Sequence, residues 1–392
     1  MKILHVSPSF YPTTAYGGTI RSSYGLCRGL TELGCEVRVL TTDTDGIGRN
    51  LEVANDHEVA VDGLHVRYCH KLFRNSVSAG LLGALGEYVA WADVVHLIAV
   101  YSFPTFPTLA YCRRLQKPLI WSPRGSLQRW DGSTRVAAKF VWERVCRMLA
   151  LKDRVVLHTT SEEEARQSQA RFRDLRTVIV HNGVELPERV RRSGPTAELR
   201  ITYLGRLHPI KGIENLLDAC KLIEGDADPW HLKIAGSGEG DYPNLLKAKV
   251  EKLGLQARVE FTGEVFGEAR ENLFAESDIL VAPSYVENFG MVIAEALAHE
   301  VPVIAGRGTP WHGLQTNQCG LWAENDAASL ATAIRQMRTL PLREMGRRGR
   351  CWMEREFSWD AVSRQMLVVF QNCLDAPRGR SQAETVSREA GA

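Results

Sequence analysis

The sequence has few of the features that mark secreted, metal-binding or membrane-spanning proteins. Its nine cysteines form no C-x-x-C pair and no repeated spacing, which argues against a disulfide framework or a zinc site. No window approaches the roughly 18 apolar residues of a membrane span, and no signal-peptide core precedes the first apolar strand. These absences predict a cytoplasmic protein with reduced, mostly buried thiols.

The composition that is present suits an ordinary α/β protein of two domains, because 392 residues exceed the usual size of a single core. The two halves differ in charge. Residues 1–183 contain 23 Lys and Arg against 17 Asp and Glu, and residues 184–392 contain 25 against 29. The basic half favours an anionic partner such as phospholipid headgroups or a diphosphate-linked acceptor, and an ordinary solvated surface is the alternative.

Short apolar runs alternate with helical patterns along both halves of the chain. The opening segment predicts a strand, a glycine turn, a helix and a second strand. Further runs such as DVVHLIAV, PLIWS and RVVLHTT suit buried parallel strands. The second half repeats the alternation from ITYLGRL onward. Both halves are therefore predicted to be Rossmann-like, doubly wound parallel sheets.

The domain boundaries are placed where this alternation stops. Residues 184–197 contain prolines and charges without apolar periodicity, so they are predicted to link an N-terminal domain, 1–183, to a C-terminal domain, 198–358. An amphipathic helix over 359–376 is expected to cross back to the N-terminal domain. The small, polar tail 377–392 is expected to be disordered.

Candidate binding residues follow predicted strands, where parallel sheets bind ligands. Gly17 and Gly18 precede the first helix and would let a phosphate approach backbone N–H groups, although a plain turn is equally consistent. In the second half, Arg206 and Lys211 flank one strand-to-helix turn. Two cations at such a turn suit a diphosphate, and two solvated surface cations are the alternative.

A pair of acids follows a later strand of the second half. Glu287 lies in the loop of APSYVENFG, and Glu295 lies eight positions on in the following helix. Carboxylates accept hydrogen bonds from sugar hydroxyls, and Gly290 and Met291 would offer N–H groups to a phosphate at the helix N-terminus. The alternative is a capping glutamate and a surface glutamate.

The spacing of Glu287 and Glu295 matches the E-x7-E signature of retaining GT-B glycosyltransferases. Together with GRLHPIKG and the Gly-Gly loop, it resembles glycosyltransferase family 4. The resemblance extends over almost the whole chain in the expected order, including HNGVE, IAGSGEG, VEFTGEV and ESDILVAPS. It implies a GT-B fold, with two Rossmann-like domains facing across a cleft, and a retaining, metal-independent glycosyltransferase without a cofactor, whose co-substrate is a nucleotide-diphosphate sugar.

The resemblance also assigns expected roles. Arg206 and Lys211 would hold the diphosphate and, with Glu287 at the transferred sugar, form the catalytic set. Glu295 would bind the ribose hydroxyls. Gly18 would close the site from the first domain. The remaining donor-binding residues implied are Gly17, Arg124, Gly205, Gly236, Glu264, Val265, Asn288, Phe289, Gly290 and Met291.

One position departs from the pattern of the family. Many relatives have a histidine after the strand that corresponds to PLIWS, whereas this chain reads Ser122, Pro123, Arg124, Gly125. Arginine cannot act as a base, but it binds phosphate or stabilises a departing diphosphate. His96 and Ser122 are the alternative contacts for the sugar or acceptor, and a histidine hydrogen-bonded within the sheet is the competing interpretation. The SPRG form resembles a subgroup associated with cell-surface polysaccharide assembly.

The acceptor is expected to be a saccharide or a polyprenyl-diphosphate-linked saccharide of exopolysaccharide, capsule or lipopolysaccharide synthesis, with no role for nucleic acid. Residues 133–151 place apolar side chains on one helical face among Lys139, Arg144 and Arg147. This pattern suits a helix at the inner face of the cell membrane, and packing against its own sheet is the alternative. Loops 44–60, 71–80 and 101–107 are expected to select substrates.

Two other functions remain open from the sequence. A GT-B epimerase or hydrolase acting on the same nucleotide sugar would differ in releasing a free sugar or an isomer. A non-catalytic nucleotide-sugar-binding protein would explain the missing histidine, but it would have no need of Arg206, Lys211, Glu287 and Glu295 together.

Overall fold

The computed structural model describes residues 1–13, 17–46, 48–73, 76–129, 135–194 and 196–375. The chain divides into two compact units, Met1–Gly183 with the chain from Trp359 onward, and Val184–Ser358. The backbone enters and leaves the second unit at one place, because Val184 donates to the carbonyl of Phe357 at 2.7 Å. The predicted tail 377–392 lies outside the described residues.

The regular elements are numbered in chain order. The strands are β1 (Lys2–Val6), β2 (Glu36–Thr42), β3 (Glu58–Val61), β4 (Leu64–Cys69), β5 (Val94–Ile98), β6 (Leu119–Ser122), β7 (Val155–Thr159), β8 (Arg176–Ile179), β9 (Leu199–Leu204), β10 (Trp230–Ala235), β11 (Val259–Gly263), β12 (Ile279–Ala282), β13 (Val303–Gly306) and β14 (Gly320–Ala323). The helices are α1 (Gly18–Glu32), α2 (Ala79–Trp91), α3 (Thr105–Leu115), α4 (Val136–Leu149), α5 (Glu162–Arg171), α6 (Ile213–Leu222), α7 (Tyr242–Leu253), α8 (Gly267–Glu276), α9 (Met291–Ala298), α10 (Gly313–Thr316), α11 (Ala327–Arg338), α12 (Leu342–Trp352) and α13 (Trp359–Asp375).

The first unit is built on an eight-stranded sheet in the order β3-β4-β2-β1-β5-β6-β7-β8. Its neighbouring strands run parallel except β3, which pairs antiparallel with β4 at one edge. Helices cover both faces: α1 and α13 pack on one, and α2, α3 and α4 on the other. Strands buried on both faces are mostly apolar, which explains runs such as β5, where His96 is the one polar residue.

The second unit has a six-stranded sheet in the order β11-β10-β9-β12-β13-β14, and every strand pair is parallel. Helices α6, α7 and α11 pack on one face, and α8, α9 and α12 on the other. The chain order reverses between β9 and β12. Crevices at such reversals are where open parallel sheets bind ligands, so the loops after β9 and β12 define the candidate site.

The structure corrects three predictions made from the sequence. The predicted linker 184–197 packs within the second unit, where Arg192 donates to the carbonyl of Phe274 at 3.1 Å. The hairpin of β3 and β4 was not predicted, and its first strand begins inside the predicted loop 44–60. The predicted loop 101–107 contains the start of α3. Short or edge elements with weak apolar periodicity escape pattern analysis because neighbouring strands stabilise them.

All nine cysteines are free thiols, eight of them buried and Cys351 exposed. Within the described residues, no helix combines the length and the apolar character needed to cross a membrane.

The packing of α1 against α13 depends on glycine. A Cβ atom on Gly25 would lie 2.2 Å from the ring of Trp359, so the two helices approach this closely only because the side chain is absent. We expect Gly25→Ala to lower the free energy of unfolding by roughly 1–3 kcal/mol through overpacking. Gly83, on α2, has open space around its Cβ position, so Gly83→Ala serves as the control.

Urea-unfolding midpoints of the two variants provide the measurement. Gly83→Ala should be neutral or stabilising by up to about 1 kcal/mol because alanine favours helices. Equal midpoints for the two variants would contradict the proposed packing.

Candidate functional site

The loops that follow β9, β10 and β11 are hydrogen-bonded to one another along the carboxyl edge of the second sheet. The N–H of Gly205 donates to Ala235 at 3.0 Å, and the N–H of Leu207 donates to Ser237 at 2.7 Å. The N–H of Gly236 donates to Gly263 at 2.7 Å. These main-chain bonds make a continuous rim at the end of the sheet.

Position 236 must be a glycine for this rim to form. The φ of Gly236 is 137°, and a Cβ atom there would lie 1.9 Å from the carbonyl oxygen of Gly205. A side chain would therefore separate the first two loops of the rim. The structure thus gives Gly205 and Gly236, both predicted as donor contacts, a role in bringing the loops together.

The loop after β12, with α9 behind it, extends this rim because it is joined to the loop after β9. The N–H of Tyr285 donates to the carbonyl of Ile210 at 2.9 Å. Gly212 adopts φ 64°, and a Cβ atom on it would lie 2.1 Å from the carbonyl oxygen of Pro283. Glycine is needed at this left-handed, crowded position, because a larger residue would force the two loops apart.

Lys211 and Glu287 meet where these loops join. Lys211 ends a 3₁₀ turn, Pro209–Lys211, and its ammonium donates to Oε2 of Glu287. The hydroxyl of Ser284 donates to the same oxygen at 3.2 Å. The two side chains are 20% and 19% exposed, so a ligand can reach the pair while the surrounding loops hold it in place.

The neighbourhood of Lys211 is positively charged. Arg206, which follows β9, is exposed, and its carbonyl accepts a hydrogen bond from the buried hydroxyl of Tyr203 at 3.0 Å. The pKa of His208 is lowered by burial and by the charges of Arg206 and Lys211. These three positions therefore share one local field that favours an anion.

The N-terminus of α9 begins next to this charge. Gly290 is the N-cap residue with φ 82°, and no side chain caps the helix. The backbone of Gly290 and Met291 thus lies at the positive end of a helix dipole. Phe289 differs from the prediction, because its side chain is buried against Trp311 and Phe357 and cannot line a site. Asn288 is half-buried in the same loop.

Glu295 forms a second, separate ion pair. Its carboxylate accepts from Arg270 of α8, and the side chains of Arg270 and Glu295 are 17% and 12% exposed. Arg270 was missed by sequence reasoning because it lies on another helix, 25 positions before its partner. Glu264, after β11, is exposed and accepts from the hydroxyl of Ser237 at 2.5 Å, with Val265 half-buried beside it.

The structure therefore brings together some predicted residues and separates others into distinct contacts. Lys211 and Glu287 touch directly, whereas Glu295 is held by Arg270. Within the described part of the chain, no group of three or more His, Cys, Asp or Glu side chains is arranged to hold a metal ion. A surface depression of about 390 Å³ lies elsewhere, between β14 and α11, and its lining includes no cation.

In the first unit, the loop after β1 leads into α1. Gly17 is the N-cap residue with φ 53° and ψ −123°, and Gly18 begins the helix. As at α9, no side chain caps this N-terminus and the first turn contains no acid. The backbone N–H groups at Gly17 and Gly18 are thus suited to an anion.

His96 and Ser122, predicted as sugar or acceptor contacts, are buried in the first sheet, 1% and 0% exposed. They belong to a row of hydrogen-bonded side chains across four strands. His5 Nδ1 lies 3.2 Å from His96 Nδ1, His96 Nε2 lies 2.8 Å from the Ser122 hydroxyl, and this hydroxyl lies 2.7 Å from His158 Nδ1. The interpretation of His96 as a histidine hydrogen-bonded within the sheet therefore describes this structure, and neither residue is placed to touch a ligand.

The hydrogen bond of His158 at the far end of this row determines which ring nitrogens hold the protons. His158 Nε2 lies 3.0 Å from the carbonyl of Val180, and a carbonyl only accepts, so Nε2 holds the proton. Ser122 then donates to His158, His96 donates to Ser122, and His5 donates to His96. Burial, with help from the Arg124 charge, lowers the pKa values of His5 and His158 to about 3 and places that of His96 well below its ordinary value.

Arg124, where many relatives have histidine, has φ 53° and lies near enough to this row for its charge to act on all three histidines. Its guanidinium donates to the side chain of Asn182, and the N–H of Gly125 donates to the buried carboxylate of Glu164 at 2.6 Å. Burial lowers the pKa of Arg124 to about 10, so it stays charged at neutral pH. Asn182 and Glu164 are the residues that hold this loop, and sequence reasoning identified neither.

Helix α4 exposes five of the six apolar residues that the sequence pattern grouped together, and the sixth, Leu149, is half-buried. Val136, Phe140, Val141, Val145 and Met148 are 46%, 58%, 61%, 37% and 70% exposed. The buried residues of α4 are instead Glu143 and Cys146, and Glu143 pairs with Arg129 at 2.9 Å. Packing against their own sheet is thus wrong for these five residues, whereas Leu149 of the predicted face packs with Trp142 and Cys146 against the core. Residues 133 and 134 of the predicted segment lie outside the described residues.

Two family models match consecutive parts of the chain. Glycosyltransferase Family 4 matches residues 16–188, and Glycosyl transferases group 1 matches residues 188–350. The chain belongs to glycosyltransferase family 4. Among curated proteins, this family 4 chain is 29% identical over 247 residues to a GDP-mannose-dependent α-(1-6)-phosphatidylinositol dimannoside mannosyltransferase of Mycobacterium tuberculosis. That match covers 60% of this chain and 62% of the relative, so it spans less than two thirds of the relative's length.

Solved structures with the GT-B fold resemble the chain over nearly its whole length. Sucrose-phosphate synthase from Thermosynechococcus elongatus aligns with a TM-score of 0.74 and 21% identity, covering 96% of this chain and 100% of that one. HepE of Anabaena, solved in complex with UDP and glucose, aligns with a TM-score of 0.71 and 18% identity, covering 95% and 100%. These likenesses confirm the predicted GT-B fold.

The buried histidine row predicts a dependence of stability on pH. His5, His96 and His158 are neutral when folded, whereas in the unfolded chain each takes up a proton near its ordinary pKa of 6.5. Below pH 6.5 the unfolded state therefore binds more protons, and stability falls as pH falls. Each histidine contributes a slope of up to about 1.4 kcal/mol per pH unit.

Urea unfolding at pH 7.5, 6.5 and 5.5 measures this slope. His158→Asn should have a shallower slope than the unmodified protein, because one titrating group is removed. Identical slopes for the two proteins would show that the row is not the source of the pH dependence.

Proposed function

We propose that the protein is a retaining glycosyltransferase that moves a sugar from a nucleotide-diphosphate sugar to a saccharide or lipid-linked saccharide acceptor. The observation that supports this best is the contact between Lys211 and Glu287 at the point where the strand order of the second sheet reverses. A cation for a diphosphate and an acid for sugar hydroxyls stand there beside the uncapped N-terminus of α9.

In this proposal each group of the rim has a separate task. Lys211 and Arg206 bind the diphosphate, and the N–H groups of Gly290 and Met291 add to the positive field. Glu287 accepts hydrogen bonds from the transferred sugar, and Glu295 accepts from the ribose. The loop with Glu264 and Val265 meets the base through its backbone.

The proposed reaction keeps the configuration of the sugar. The bond from the anomeric carbon to the diphosphate oxygen breaks, and the acceptor oxygen bonds to the same face of that carbon. The departing diphosphate oxygen takes the proton of the acceptor. The protein then contributes orientation and charge stabilisation, with Lys211 and Arg206 neutralising the diphosphate without a metal ion.

The relatives support a nucleotide-sugar donor and leave its base open. One relative is described as GDP-mannose-dependent, and HepE was solved with UDP and glucose. A thermal-shift screen with UDP, GDP, ADP and TDP sugars tests donor binding, because a ligand that binds the native state raises its melting temperature. The absence of a shift with all four would argue against the proposal.

The two alternative functions are separated by the fate of the sugar. A transferase needs an acceptor to turn over the donor that the screen identifies, whereas a hydrolase releases free sugar and an epimerase returns an isomer of the donor. A binding protein does none of these. The SPRG loop, resembling a subgroup of cell-surface polysaccharide enzymes, makes oligosaccharides of that class the first acceptors to test.

The first unit is proposed to bind the acceptor and to touch the anionic face of a membrane through α4. Phe140, Val141 and Met148 are exposed on this helix beside Arg144 and Arg147. Its single acid, Glu143, is buried in ion pairs, so every exposed charge of α4 is basic. An exposed helix with apolar and basic residues suits an interface with anionic lipid.

Replacement of Lys211 tests the proposed catalytic set. We expect Lys211→Ala to lower kcat/KM by about 100-fold or more, because charge stabilisation of the departing diphosphate is lost. Lys249→Ala is the matched control, since Lys249 is also a partly buried lysine of the second unit, paired with Asp218 at 2.7 Å. In steady-state transfer assays the control should have a kcat/KM close to that of the unmodified protein. Normal turnover by Lys211→Ala would refute the catalytic role of Lys211.

Liposome flotation tests the membrane surface. We expect the protein to float with vesicles that contain phosphatidylglycerol and to bind phosphatidylcholine vesicles far less. Replacing Phe140, Val141 and Met148 together by Ser should lower binding about tenfold or more, since their apolar surface no longer enters the interface. Leu245→Ser, at a 58% exposed position on α7, is the control. Failure of the unmodified protein to float with either vesicle would refute membrane contact.

A further inference from the structure

A group of side chains that none of the proposed roles uses joins α8 to α9. The guanidinium of Arg270 contacts the carboxylate of Glu295 and lies 5.6 Å from the ring centre of Phe274. The other partner of this ring is His299, whose own ring stacks on it at 4.5 Å. His299 Nε2 in turn lies 3.0 Å from a carboxylate oxygen of Glu271. Two polar contacts thus connect the same helices, and the buried ring of Phe274 packs against both Arg270 and His299.

This arrangement fixes Arg270 in place. Phe274 is 1% exposed, and His299 Nδ1 lies 2.7 Å from the backbone carbonyl of Glu295. Arg270, at 17% exposure, has little freedom to rotate away from Glu295. The planar guanidinium of an arginine is also pre-organised, so it loses less conformational entropy per hydrogen bond than a lysine ammonium would.

The pair also has a defined place along the rim. Arg270 lies in the second turn of α8, which follows the loop of Glu264 and Val265 proposed to meet the base. Glu295 lies on α9, whose N-terminus is proposed to meet the diphosphate. A ribose joins the base to the diphosphate, and the ion pair likewise joins the two helices whose N-terminal ends are proposed to meet the base and the diphosphate.

A carboxylate has about four acceptor sites, so a bond from Arg270 is compatible with further bonds from ribose hydroxyls. We propose that Arg270 is a positioning residue for ribose recognition, which orients the Glu295 carboxylate toward the 2′ and 3′ hydroxyls. The proposal rests on the proposed function, since it assumes that a nucleoside diphosphate binds at this rim. It predicts that Arg270 determines the preference for ribose over deoxyribose.

The experiment compares the affinities of ribonucleotides and deoxyribonucleotides. Calorimetric titrations use UDP and GDP, each beside its 2′-deoxy counterpart, with the full-length protein. The variants are Arg270→Met, which keeps an apolar stem on Phe274, and Arg270→Lys, which keeps a positive charge. Glu271→Gln is the matched control, because it weakens the neighbouring contact between the same helices without touching Glu295.

We expect the unmodified protein to prefer the ribonucleotide by about tenfold or more, the value of one hydrogen bond to a charged group. Arg270→Met should bind the ribonucleotide about tenfold more weakly with little change for the deoxyribonucleotide, so that the preference largely disappears. Arg270→Lys should recover part of the preference for the ribonucleotide, and Glu271→Gln should retain the whole preference.

Two results overturn the proposal in different ways. If Arg270→Met weakens both nucleotides equally, or leaves the preference intact, Arg270 only supports the helices and the inference is wrong while the proposed donor site stands. If the unmodified protein binds neither UDP nor GDP in either form, the inference and the proposed site for these two nucleotides fail together.

Discussion

The contact of Lys211 with Glu287 is the interaction on which the candidate site depends. The two side chains come from loops on opposite sides of the strand reversal, and they meet because Gly212 lets one loop pass close to Pro283. Loss of either partner would leave a half-buried charge without its counterion, which is costly. The pair therefore orders both loops and places a cation and an acid side by side. One contact thus stabilises the local structure and supplies the two groups proposed for the chemistry.

Contacts between loops also order the rest of the rim. Hydrogen bonds between main-chain groups connect the loops after β9, β10 and β11, and Gly236 removes the side chain that would keep the first two apart. The second acid, Glu295, is held by a different helix through Arg270. Sites built in this way are fixed by their supporting contacts before a ligand arrives, which is what charge stabilisation in a transition state requires.

The periodicity of the amphipathic helices and buried strands was sufficient to predict two doubly wound parallel sheets. The GT-B fold was implied by the resemblance of the motifs, in their order, to glycosyltransferase family 4. The contact between Lys211 and Glu287 was not visible, since 76 positions separate the two residues and only the strand order brings them together. The burial of His96, the inward packing of Phe289 and the outward face of α4 also depend on neighbours that no local pattern encodes. Arg270 has no motif at all, because its partner lies on another helix.

The central claim is that the rim of the second unit holds a nucleoside diphosphate, and hydrogen–deuterium exchange with and without the nucleotide tests it most directly. Bound nucleotide should slow exchange in residues 205–212, 264–270 and 284–295, where the loops and the α9 N-terminus would contact it. Residues 315–336, which line the depression between β14 and α11, should be unchanged. Protection confined to 315–336, with none in the three rim segments, would contradict the account.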